Sequence, residues 1–266
     1  MRSLFLKITL AVALLTRATV SYSQPAYIEL GVAPGYSLFK DNATSPLFYK
    51  GNTLSITGAW LLPKKNNEKL ASINYTFGKH SNSYNNTNNS ARFYNLEFSY
   101  LQLYLINKLS SKKLKVKIGA GVISTLNIRE NKALMNNSLG IESISNILFS
   151  TKVSKPIFMI KHKKSTLVDE LSLILNVGII NMNYRPGYAY NYMPSIKDSH
   201  VKNMTDYHFS LNGFRLNSTI QYFKQLQNKN ILGFSYNFSA YNAPGKYEPF
   251  SYSRHCIKLS FLLNYK

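Results

Sequence analysis

The chain of 266 residues contains one cysteine, Cys256, and one tryptophan, Trp60. A lone thiol excludes an internal disulfide framework and a Cys-based zinc site. Acids are scarce, with 11 Asp+Glu against 32 Lys+Arg for a formal net charge of +21. Charged residues are 16% of the chain, where a soluble globular protein carries about 25%. Past residue 24 no apolar stretch reaches the roughly 18 residues of a spanning helix, so a helical membrane protein is excluded. No HExxH and no phosphate-binding glycine loop occurs, and neither a metal nor a cofactor is expected. Aromatics are abundant instead: 20 Tyr and 15 Phe help bring hydrophobic residues to 45%, which excludes a disordered chain.

Residues 1–23 read as a secretory signal peptide. Arg2 and Lys7 are basic, Ile8 to Leu15 form a short apolar run, and Ser21 and Ser23 are small residues at the end of the segment. Cleavage removes Arg2, Lys7 and Arg17 but no acid, which lowers +21 to +18. Residues 24–266 are then one exported domain.

Periodicity assigns that domain to the all-β class. Leu54, Ile56, Trp60 and Leu62 alternate with Thr53, Ser55, Thr57 and Ala59. The same period of two runs through Ile73, Tyr75 and Phe77, through Leu114 to Val122, through Leu171 to Ile179, and through Leu232 to Phe238. Less regular strands fall near 26–38, 92–107, 140–155 and 207–225. The spacing predicts about ten strands (8–12), each long enough to cross a bilayer when tilted. Short connections near 63–68, 108–113, 156–165 and 226–230 alternate with long ones near 39–52, 80–91, 128–139, 184–206 and 241–254. That layout is a closed antiparallel transmembrane β-barrel with short turns at one end and long loops at the other. A soluble two-sheet sandwich would also alternate, but it would not turn so many Tyr and Phe outward.

The leader, the Tyr/Asn/Lys-rich strands and the closing alternation of Ile257, Leu259, Phe261, Leu263 and Tyr265 resemble the bacterial outer-membrane β-barrel superfamily. In that superfamily the last strand carries an assembly signal ending in an aromatic residue; here Lys266 follows Tyr265. The resemblance implies residence in the outer membrane of a Gram-negative cell, turns in the periplasm and loops outside.

Lysines crowd the turns, at Lys64, Lys65, Lys69, Lys108, Lys112, Lys113, Lys155, Lys161, Lys163 and Lys164. They suit interfacial phosphates, as do Lys50, Arg92, Arg129, Arg185, Lys197, Lys202 and Arg254 on the loop side. The expected partners are outer-membrane lipids and lipopolysaccharide, together with other envelope proteins; nucleic acid is not expected. Alternation turns Glu29, Glu97, Lys115, Lys117, Arg215 and Lys258 toward the lumen. About eight strands already leave an interior that side chains can fill, so these charges predict a paired, plugged lumen rather than a wide pore.

One stretch invites a catalytic reading. His208, Ser210 and Asn212 share a strand face, and the apolar parity flips past Gly213, which predicts a β-bulge. His-x-Ser followed by Asn-Gly is similar to the lipid A deacylase family of small outer-membrane barrels. By that resemblance His208 is the base, Ser210 the nucleophile and Asn212 an oxyanion-hole contributor; the acid that completes the family's dyad has no counterpart before Glu248. Asp206-x-His208 also matches half of an omptin-like surface protease, whose Asp-Asp partner is missing. Loop histidines such as His200 and His255 are read as solvated rather than metal-bound. The sequence therefore predicts a non-enzymatic surface, scaffold or ligand-binding barrel, with a lipid A ester hydrolase or a small passive pore as alternatives.

Overall fold

The computed structural model describes residues 25–42, 44–64, 66–82, 89–111, 113–162, 165–184, 208–210, 213–243 and 249–265; at 135–137, 158–162, 165–168 and 208–210 it describes the backbone. The strands are β1 (Tyr27–Asp41), β2 (Ser45–Pro63), β3 (Asn67–Ser81), β4 (Ser90–Leu105), β5 (Lys115–Glu130), β6 (Leu139–His162), β7 (Ser165–Tyr184), β8 (His208–Ser210), β9 (Phe214–Gln225), β10 (Ile231–Ala243) and β11 (Phe250–Asn264). Each pairs antiparallel with its neighbour, and β1–β11 pairing closes the wall. Because β8 and β9 both lie along β7, the eleven segments fill ten positions around a closed barrel.

Closure follows from what the strands expose. Ile28, Leu30 and Val32 on β1, Ile56 on β2, Leu171, Leu173 and Leu175 on β7, and Ile257, Leu259 and Leu263 on β11 are all solvent-accessible. Their alternates Glu29, Ala33, Thr57, Ser172 and Ser260 are buried. An apolar outside around a polar inside is stable only in lipid, where a sheet edge would leave backbone groups unpaired. Outward aromatics flank the belt: Tyr36, Tyr75, Phe214 and Tyr236 toward the loop ends, Tyr104 and Tyr265 toward the turn ends. Trp60 ties the terminal aromatic down, its Nε1 donating to the Tyr265 hydroxyl at 2.6 Å.

Several expected boundaries move. The 39–52 loop is mostly wall, because β1 and β2 continue to Asp41 and from Ser45. Likewise 156–165 is strand apart from its tip, and β6 and β7 pair with each other beyond the ends of β5 and β9. At the expected Gly213 bulge the wall does step out of register. Ser210 pairs Asn181 and Leu216 pairs Val177, so four steps on β7 match six on the other side. Gly213 itself takes φ 146°, a backbone shape that side chains disfavour.

Candidate functional site in the barrel interior and at its outer rim

The interior is filled in tiers. At the turn end Tyr27, Leu61 and Leu262 pack with Leu70, Phe223 and Ile231. At the loop end Phe39, Tyr49, Phe93, Tyr241, Phe250 and Tyr252 form a layer of rings. Phe39 stacks on Tyr49 at 5.1 Å, and Phe93 on Tyr252 at 5.3 Å. Arg129 lies in this layer, its guanidinium 4.5 Å from the Phe250 ring centre. It is ion-paired to Asp41 at 2.7 Å and also to Glu142. His80 is fully buried beside the rings, its Nε2 2.6 Å from the Ser37 hydroxyl.

Between the tiers lies a polar cavity of about 180 Å³, lined by Glu29, Glu68, Glu97, Arg254 and Lys258 among others. Its carboxylates are paired. Lys258 meets Glu29 at 2.5 Å and Arg215 meets Glu97 at 2.5 Å. Glu68 takes both Lys117 at 2.5 Å and Lys152 at 2.8 Å, and Lys152 reaches Glu170 at 3.6 Å. Ion pairs so far from water hold only when both partners are present and hydrogen-bonded.

Of the six charges that alternation turns inward, Glu29, Glu97, Lys117, Arg215 and Lys258 take part in these pairs. Lys115 does not: as the first residue of β5 it is exposed at the mouth, because the strand begins there. Arg129 and Arg254, expected on the loop side beside lipid phosphates, are instead buried, because the alternating wall continues past the apolar belt. Glu68, Lys152, Asp41 and Glu142 escaped the sequence reading; the signal that could have found Glu68 is its parity with Ser72, Asn74 and Thr76. Register sets His208 opposite Asn183 and Ser210 opposite Asn181, both asparagines buried. Asn212, Asp206, His200 and Glu248 lie outside the described residues. His255 faces outward, its Nδ1 2.5 Å from the Tyr236 hydroxyl. Among the described residues no cluster of His, Cys, Asp or Glu could hold a metal ion.

Outside, just past the belt, cations gather on four adjacent strands. Lys50, Lys79 and Arg92 are exposed and Lys40 is half-buried, its ammonium 5.2 Å over the Phe48 ring. Lys79 and Arg92 face each other directly across β3 and β4. The carboxylate nearest Arg92 is Glu130, at 3.9 Å and largely solvated.

No family model matches the chain, and no curated protein does. Among solved structures the outer membrane protease OmpT from Escherichia coli superposes with a TM-score of 0.54 over 93% of this chain and 99% of that one, at 10% identity. The chain has the fold of a bacterial outer-membrane β-barrel. The barrel also aligns with the transport unit of the autotransporter AIDA-I from Escherichia coli, at TM-score 0.42, 9% identity, and 96% and 95% coverage. The translocator domain of autotransporter NalP from Neisseria meningitidis matches at 0.39 and 8% identity, covering 98% and 96%. At such identities the likeness speaks for the fold alone.

Proposed function

We propose that the protein is a non-enzymatic surface barrel of the outer membrane, presenting its loops to lipopolysaccharide and to other envelope proteins and holding lipopolysaccharide phosphates on the rim of β1–β4. The rim cations carry this reading. Lys79 directly opposite Arg92 is a repulsive pair in an empty sheet, and Lys40 and Lys50 add to the same field. An anionic headgroup at the top of the outer leaflet turns that repulsion into attraction, at about 1 kcal/mol per basic residue near a charged lipid surface.

The test compares wild type with the double variant Lys79→Gln/Arg92→Gln, each folded in detergent, by counting lipopolysaccharide molecules retained per barrel in native mass spectrometry. Loss of most of the bound lipid in the double variant is expected; equal retention overturns the rim assignment. The hydrolase alternative is read in the same cells from the acyl chains of lipid A. Ser210 pairs a wall position whose own side chain is buried, a face that lipid does not reach. Identical lipid A with wild type, with Ser210→Ala and without the protein is therefore expected, and a missing acyl chain that returns in Ser210→Ala would establish the enzyme instead.

A further inference from the structure

The central cavity holds one cation that its carboxylates do not balance. Glu29, Glu68 and Glu97 each have a cationic partner, drawn from Lys258, Lys117, Lys152 and Arg215. Arg254, only 7% exposed, has no ion pair with any described carboxylate. It is held at one corner, where Nη1 donates to Thr76 Oγ1 at 3.0 Å, and Thr76 is itself 2.6 Å from Ser55 Oγ. Its Nε and Nη2 have no partner at all.

Those two nitrogens are not a random pair. They lie along one edge of the guanidinium, the fork that grips two oxygens of a carboxylate or phosphate with parallel charge-assisted hydrogen bonds. Thr76 fixes the opposite side of the group and leaves this edge free, and Arg254 lines the cavity. Asn176, which lines the same cavity, is also without a partner at its side-chain oxygen; turned over, that amide donates instead. Water can satisfy unpaired donors, but it cannot neutralise a buried charge. A cavity of 180 Å³ has room for a small oxyanion with a few waters.

We infer that the cavity beside Arg254 is a binding site for a small oxyanion, a carboxylate or a phosphate, gripped by the Nε–Nη2 edge. The layer of rings covers the loop end. The ligand therefore enters from the turn end, past Leu61, Leu70 and Phe223, which also line the cavity. This site is independent of the rim cations, which lie on the outer face of the wall.

The experiment titrates the folded wild-type barrel, in uncharged detergent with chloride as the only other anion, against inorganic phosphate and in parallel against acetate by calorimetry. Saturable binding of one or both at one site per barrel is expected. Arg254→Lys keeps the charge and removes the fork, and should weaken binding about tenfold or more; Arg254→Met should abolish it. Lys79→Gln/Arg92→Gln should bind as wild type, which separates the cavity from the rim. Should the Arg254 variants fail to fold, nitrogen-15 spectra of arginine in the wild type decide alone: one Nε–H resonance should move and saturate with the ligand. The site is overturned by any one of three results: no saturable binding of either anion, unchanged affinity in Arg254→Lys, or an arginine spectrum that does not respond.

Discussion

Glu68 keeps two lysines charged inside the wall, Lys117 on one oxygen and Lys152 on the other. Replacing it with glutamine preserves the shape and removes the charge, which leaves Lys117 without an ion pair among the described residues and Lys152 with only the longer contact to Glu170. Breaking one side of a buried ion pair costs about 3–5 kcal/mol. Glu68→Gln should lower the unfolding free energy of the detergent-folded barrel by that much in a urea titration, and a loss under about 1 kcal/mol would mean that water reaches the lysines. The sequence hides this residue. Pro63, two lysines and two asparagines precede it and read as a turn, yet the chain reverses within Lys64–Asn67, where Lys64 N–H donates to the Asn67 carbonyl at 2.7 Å. Arg129 and Arg254 were misplaced for a related reason. Charge near a strand end was assigned to the lipid interface, while alternation, followed one or two residues further, turns both inward to Asp41 and Thr76.

At the scale of the strands, the apolar belt was legible because period two is sharpest where lipid demands it: Leu171, Leu173 and Leu175 outward, Ser172 and Asn176 inward. Above the belt the code inverts. On β1 and β2, Phe39 and Tyr49 point in while Lys40 and Lys50 point out, so the apolar face becomes the inner one and the segment resembles a loop. That inversion concealed the wall across most of 39–52. The β8–β9 junction was legible for the opposite reason, since a parity flip has few causes other than a bulge. Its hinge is Gly213, whose φ of 146° suits no other residue well. Gly213→Ala should therefore cost about 1–3 kcal/mol of backbone strain, seen as a lower urea midpoint together with faster amide exchange at the start of β9. If the midpoint holds and β9 stays protected, the step in register does not depend on glycine.

Across the whole molecule the shortage of acid acquires a location. Glu29, Asp41, Glu68, Glu97 and Glu142, five of the eleven acids, turn into the barrel. There they meet Lys117, Arg129, Lys152, Arg215 and Lys258, which leaves the outside overwhelmingly basic. The same arrangement decides whether the barrel conducts. An ion crossing it would have to part the stacked rings of Phe39, Tyr49, Phe93 and Tyr252, pass Arg129 with its two carboxylates, and then thread ion pairs as close as 2.5 Å. Each barrier is a packed or paired group with no low-energy way aside. Reconstituted in a planar bilayer, the protein should give no unitary current at modest voltage. Glu97→Gln releases Arg215 but leaves the ring layer intact, and should stay silent as well. Stable steps in the wild type would mean that the tiers open together, and that the barrel is a pore whose closed state is the one described.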